Sequence, residues 1–137
     1  MAAGYSNTPL PKKLGIKEGH KVAVLQAPQV FEKTLCDLPD NVVIQSQLTP
    51  KARFDVIVAF VTTRAELKRQ IIATRRHMTP AAGLWVAWPK KTSKVATDVT
   101  EDVVGEIALP TGLVDNKVCA IDDTWSGLRL VIRLALR

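Results

Sequence analysis

"DNKVCAIDDTWSGLRLVIRLALR", residues 115–137, is the stretch whose reading decides the fold. Leu128, Leu130, Ile132, Leu134 and Leu136 alternate with Arg129, Val131, Arg133, Ala135 and Arg137. Successive side chains of a strand point to opposite faces, so this period of two predicts a strand with one apolar face over 128–136. A helix would also accept arginines four apart, but it does not account for the unbroken alternation. "DTWSG" (123–127) reads as a turn, and "DNKVCAID" (115–122) before it reads as a strand. Asp122 and Asp123 fit turn chemistry better than a catalytic acid pair. A turn this short makes the last two strands a hairpin, so one of them must run antiparallel.

Upstream, strands and helices alternate. "KVAVLQ" (21–26) is a valine-rich apolar run, as a buried strand requires. "PQVFEKTLCDL" (28–38) spaces Val30, Phe31, Thr34, Leu35 and Leu38 as a helix, and Pro28 suits its first turn. "NVVIQSQL" (41–48) and "DVIVAFV" (55–61) are strands two and three. A helix is predicted over Thr63 to Met78, closed by Pro80 and Gly83. "GLWVAW" (83–88) is strand four. Asp98 and Glu101 have capping-box spacing, ahead of a helix over Val99 to Leu109. The pattern predicts an α/β fold, a Rossmann-like, mostly parallel six-stranded sheet in the order 2-1-3-4-6-5. It has a C-terminal antiparallel hairpin and helices on both faces. Residues 1–20 are expected to be an N-terminal arm with one helical turn around Lys12 to Leu14. Residues 21–137 are expected to be a single domain. The arrangement resembles a shortened class I methyltransferase fold.

Of 137 residues, 47% are hydrophobic and 23% charged, the balance of a globular domain rather than a disordered chain. Cys36 and Cys119 are far apart and outside any CxxC pair, which favours free thiols and a reducing compartment. His20 and His77 have no ligand spacing, so no metal site is expected. No secretory leader and no membrane-spanning run is visible, and the cytoplasm is the expected location. The net charge of +6 favours anionic partners. A small anionic ligand fits that charge best. Nucleic acid is a weaker reading. The 64–76 helix and the lysines Lys12, Lys13, Lys17 and Lys21 would suit phosphates, but no RRM, helix-turn-helix or OB pattern is present.

Ligands of such sheets sit beyond the carboxyl ends of the strands. Three ends converge there: Gln26, then Thr62, Thr63 and Arg64, then Trp88 leading into Lys90, Lys91, Thr92 and Ser93. Lysines, hydroxyls and a helix N-terminus are groups that hold an anion, so these residues form the predicted ligand site. The competing reading is a solvated loop beside a core tryptophan. The methyltransferase family binds S-adenosylmethionine through a glycine-rich turn after strand one, whereas this chain has no glycine between Gly19 and Gly83. Gln45, Ser46 and Gln47 stand where the acid that holds the ribose would be. No cofactor is therefore expected, and adenosylmethionine is expected not to bind. Ser126 lacks the G-x-S-x-G elbow of a hydrolase.

"YSNTPLPKKLGIKEG" (5–19), "WVAWPKK" (85–91), "ATDVTEDVV" (96–104) and "GLVDNKVCAIDDTWSGLRLVIR" (112–133) resemble a family of small bacterial domains of unknown function, number thirty fifty-two. The resemblance runs nearly end to end. It implies a stand-alone cytoplasmic bacterial protein and supplies no site residue. The leading functional expectation is a non-enzymatic ligand-binding or regulatory domain with an anion site at the strand ends. The alternatives are a divergent methyltransferase-like enzyme and a protein-interaction module or homodimer.

Overall fold

The computed structural model describes residues 8–137; the first seven residues of the expected arm lie outside the described residues. The elements are α1 (Leu10–Lys13), β1 (Lys21–Leu25), α2 (Phe31–Thr34), β2 (Val43–Gln45), β3 (Phe54–Phe60), α3 (Arg64–Arg75), β4 (Met78–Pro89), α4 (Glu101–Ala108), β5 (Leu113–Ala120) and β6 (Trp125–Ile132). They build one six-stranded sheet in the order β2-β1-β3-β4-β6-β5, as the sequence predicts. The first four strands in that order are parallel, and β6 runs antiparallel to both β4 and β5. The sheet is thus mixed, with the reversal confined to the hairpin.

Alternating side chains of the central strands feed two core layers. Ala23, Leu25, Ile57, Ala59, Leu84, Val86 and Trp88 meet Leu67 and Ile71 of α3 and Val103 and Val104 of α4. Val22, Val24, Val58, Phe60 and Trp85 meet Leu10, Leu14, Phe31 and Leu35 on the other face. This explains why the central strands are apolar without alternation, because both of their faces are covered. Trp85 is 0% exposed, and its indole Nε1 donates to the carbonyl of Leu14 at 3.0 Å. Buried Leu14 and Ile16 therefore tie residues 10–16 to the sheet.

Several boundaries differ from the sequence pattern, each for a local reason. The second helix was expected over 28–38 but has only four residues. Val30 offers no capping side chain, Leu35 leaves the helical region and Asp37 takes φ 59°. α3 ends at Arg75 because the His77 carbonyl is drawn into the sheet, accepting from Phe54 N at 2.7 Å; Met78 then opens β4. α4 starts at Glu101, capped by Thr100, whose hydroxyl accepts from Val103 N at 3.3 Å, so the expected Asp98–Glu101 capping box does not form. The last strand stops at Ile132, since β5 begins opposite it at Leu113 and no strand lies beyond to pair with. Leu134–Leu136 forms a 3₁₀ turn instead, with Leu134 79% exposed.

Candidate functional site

The carboxyl ends of β1, β3 and β4 lie on one edge, as parallel pairing demands. That edge holds two different mouths. At the β3–β4 mouth, Thr63 is the N-cap of α3 and forms a capping box with Glu66. Glu66 Oε1 accepts from Thr62 N (3.0 Å), Thr62 Oγ1 (2.9 Å), Thr63 N (3.1 Å) and Thr63 Oγ1 (3.3 Å). The Thr62 backbone N–H, then its hydroxyl, hold the Glu66 carboxyl below its ordinary value. Arg64 N donates to Asp98 Oδ1 at 2.8 Å, and Arg64 Nε to the Asp98 carbonyl at 3.3 Å. Thr97 Oγ1 closes the connection by donating to Thr62 O at 2.6 Å. Asp98 is therefore a carboxylate delivered to the helix N-terminus by the chain itself, which is the place an external anion would take.

The loop after β4 is also internally organised. Lys90 N donates to Thr124 O at 2.8 Å, tying it to the hairpin turn. Lys91–Ser93 forms a 3₁₀ turn in which Ser93 Oγ donates to Lys90 O at 2.6 Å and accepts from Val95 N at 3.2 Å. Lys91 and Thr92 are exposed. Trp88 is buried in the first core layer, so it packs the sheet. The predicted residues thus share an edge, but two internal carboxylates answer the donors of Thr62, Thr63 and Arg64.

The β1–β2 mouth is open. A cleft of about 1010 Å³ lies between the turn after β1, α2 and the end of β2. Phe31, Leu35, Leu38 and Ile44 form apolar walls, and Gln26, Gln29, Gln45 and Ser46 contribute polar groups. None of the described lining residues is ionisable. Two features stand out physically. Gln26 has φ 58°, a left-handed conformation that costs a non-glycine residue about 1–2 kcal/mol. The chain therefore makes a left-handed turn after β1 without a glycine. Second, Gln45 Oε1 is buried and has no hydrogen-bond partner, which costs about 1–3 kcal/mol unless something fills the role. Of the predicted site residues, only Gln26 lines this cleft. Gln45 and Ser46 were visible in the sequence only as replacements for an acid.

Elsewhere some polar and titratable groups have local structural roles. Asp122 Oδ1 accepts from Thr124 N and Trp125 N at 2.8 Å each, which shapes the hairpin turn. His20 Nδ1 accepts from Lys17 N. Cys36 and Cys119 are free thiols, and burial raises the pKa of Cys119 above its ordinary value. Among the described residues no three His, Cys, Asp or Glu side chains gather as a metal site. No described helix is long and apolar enough to cross a membrane.

No family model matches the chain, and no curated protein matches it. Solved structures do. The chain is similar to a ribosomal protein L11 methylase from Lactobacillus delbrueckii subsp. bulgaricus, with TM-score 0.63 at 10% identity, covering 90% of this chain and 75% of that one. A SAM-dependent methyltransferase from Aquifex aeolicus matches with TM-score 0.59 at 17% identity, covering 88% and 87%. Aeropyrum pernix fibrillarin, solved with natively bound S-adenosyl-L-methionine, matches with TM-score 0.59 at 14% identity, covering 93% and 70%. These neighbours correct the expectation of a non-enzymatic ligand-binding or regulatory domain with an anion site at the strand ends. Two of these solved proteins are described as a methylase and a SAM-dependent methyltransferase, and the third holds S-adenosyl-L-methionine, so the likeness favours the methyltransferase-like alternative; at 10–17% identity it shows the fold, a methyltransferase-like Rossmann sheet.

Proposed function

We propose that this chain is a divergent methyltransferase-like protein that takes an adenosyl ligand in the cleft at the ends of β1 and β2. The observation that carries the reading is Gln45, which lines that cleft and whose Oε1 is buried with no hydrogen-bond partner among the described residues. It is an acceptor at the end of β2, where a carboxylate would otherwise receive the ribose hydroxyls, and it serves the same purpose without charge. The φ of 58° at Gln26 weakens the objection from the missing glycines, because the turn adopts the left-handed backbone regardless. Phe31, Leu35 and Ile44 offer apolar surface to a purine, and the volume lies at the upper end of the range for small-molecule sites.

When bound, S-adenosylmethionine would supply a methyl group made electrophilic by its sulfonium. The chain's own part is to bind and orient: Gln45 and Ser46 towards hydroxyls, the turn at Gln26–Gln29 towards the rest of the ligand. No described lining residue is placed to remove a proton from a methyl acceptor. A nucleophile that is already neutral and basic, or one that arrives with its own base, suits such a cleft best. The free thiols agree with a reducing compartment, and we place the protein in the cytoplasm. Thermal unfolding with S-adenosylhomocysteine tests the reading. At 100 times its dissociation constant the ligand should add about 2.7 kcal/mol of stability. An unchanged midpoint at millimolar ligand would overturn it.

A further inference from the structure

The opposite edge of the sheet carries a second cavity. It has a volume of about 390 Å³ and lies between the loop entering β3 and the turn leaving α3. Lys51, Arg53, Arg76 and His77 line it, with Leu48 and Pro50 as apolar walls and no acidic residue among the described lining. None of the three cations is in an ion pair among the described residues. Asp55, two residues after Arg53, accepts from Lys21 N through Oδ2 at 2.9 Å.

The frame of this cavity is fixed. Ala52 N donates to Thr49 O at 3.1 Å and closes the turn that carries Lys51. His77 Nδ1 lies 2.7 Å from the carbonyl of Ala52; a carbonyl only accepts, so Nδ1 bears the proton. Phe54 N to His77 O, at 2.7 Å, and His77 N to Thr74 O, at 2.9 Å, hold the backbone on both sides of that ring. Arg53 Nη1 reaches the Met78 carbonyl at 3.5 Å. Lys51 keeps φ 66°, a conformation that glycine or asparagine would adopt more easily. The chain thus presents a lysine from a strained position beside two arginines, and like charges so placed repel. One role that needs no ligand is available: a cation such as Arg76 at the C-terminal end of α3 complements the helix dipole. That role accounts for Arg76 alone. It explains neither Lys51 nor Arg53, nor the absence of an acid among them.

We propose that this cavity binds a phosphate ester, at a site separate from the adenosyl cleft. Two guanidinium groups can grip phosphate oxygens in pairs while the lysine adds a point charge. The volume suits one phosphate with its sugar. A free phosphorylated metabolite and a nucleic-acid backbone offer the same group, so both are probed. The amide spectrum of the full chain is followed during separate titrations with inorganic phosphate, ribose 5-phosphate and a short single-stranded RNA. All of the shifts should centre on Lys51–Arg53 and on Arg76 and His77. A preference for ribose 5-phosphate identifies a metabolite site, and a preference for the RNA that falls steeply with salt identifies a backbone-phosphate site. Arg53→Ala and Arg76→Ala should each weaken the preferred probe about tenfold or more. Lys51→Gly relieves the positive φ as it removes a charge, so it should weaken binding while raising the melting temperature. Lys91→Ala, on the other edge, should change nothing. If no probe shifts these amides, or if binding survives both arginine substitutions, the cavity is not a phosphate site. S-adenosylhomocysteine binding is read at other residues, so that result leaves the proposed function untouched.

Discussion

Two mouths on the same sheet edge, one strand apart, have opposite characters. The β3–β4 mouth has a helix N-terminus, two threonines, an arginine and a lysine loop, and the chain answers its helix-end donors internally through Glu66 and Asp98. The β1–β2 mouth has glutamines, a serine and apolar walls, and it leaves one buried acceptor unanswered. Residue chemistry alone points to the first as the binding site, and hydrogen-bond accounting points to the second. A helix N-terminus attracts an anion whether that anion is a ligand or the protein's own carboxylate. What separates a site from a connection is which polar groups the fold leaves without a partner.

The sharpest way to break this comparison is at Gln45. Gln45→Leu removes the unpartnered acceptor, so it should weaken S-adenosylhomocysteine by about 1–3 kcal/mol while leaving stability equal or higher. Calorimetry beside thermal unfolding reads both, and a loss of stability with intact binding would place Gln45 in the core instead. Next comes Glu66→Ala, which leaves the donors of Thr62 and Thr63 without their acceptor. It should destabilise by about 1–2 kcal/mol in urea unfolding yet leave cleft binding unchanged. The same carboxyl has a direction with pH. Its folded pKa lies below the ordinary 4.5, so its stabilisation is complete above that value and is lost as pH falls through the lowered folded one. Glu66→Gln should flatten that acid limb. Gln26→Gly relieves the left-handed strain but frees the unfolded chain, and should change stability by no more than about 1 kcal/mol, upward if at all. Lys91→Ala, in the loop first expected to bind, should move stability by less than about 0.5 kcal/mol and cleft binding not at all.

Much of the fold was legible because the information is local. Unbroken apolar runs such as 55–61 mark strands covered on both faces, and the 128–132 alternation marks the hairpin strand. From these the order of six strands follows. The alternation continues past Ile132, but its partner strand does not, and only the pairing with β5 shows where it stops. Helix ends were less legible, since the Asp98–Glu101 spacing suits a capping box, whereas in the structure Asp98 is engaged by Arg64 and Thr100 caps α4. The site was least legible. Glu66 lies one turn from Thr62, but Asp98 reaches Arg64 across 34 positions, a contact no local pattern contains. The positive φ of Gln26 has no sequence signal either, because the residue is not glycine or asparagine. A glycine count therefore understates what this turn does.

The most direct test of which mouth binds is amide chemical-shift mapping with S-adenosylhomocysteine on the full chain. Perturbations are expected at Gln26, Ala27 and Gln29 and at Ile44, Gln45 and Ser46, with Thr62–Arg64 and Lys91–Ser93 unmoved. Shifts confined to Thr62–Arg64 and Lys91–Ser93, or no shifts at millimolar ligand, would contradict it.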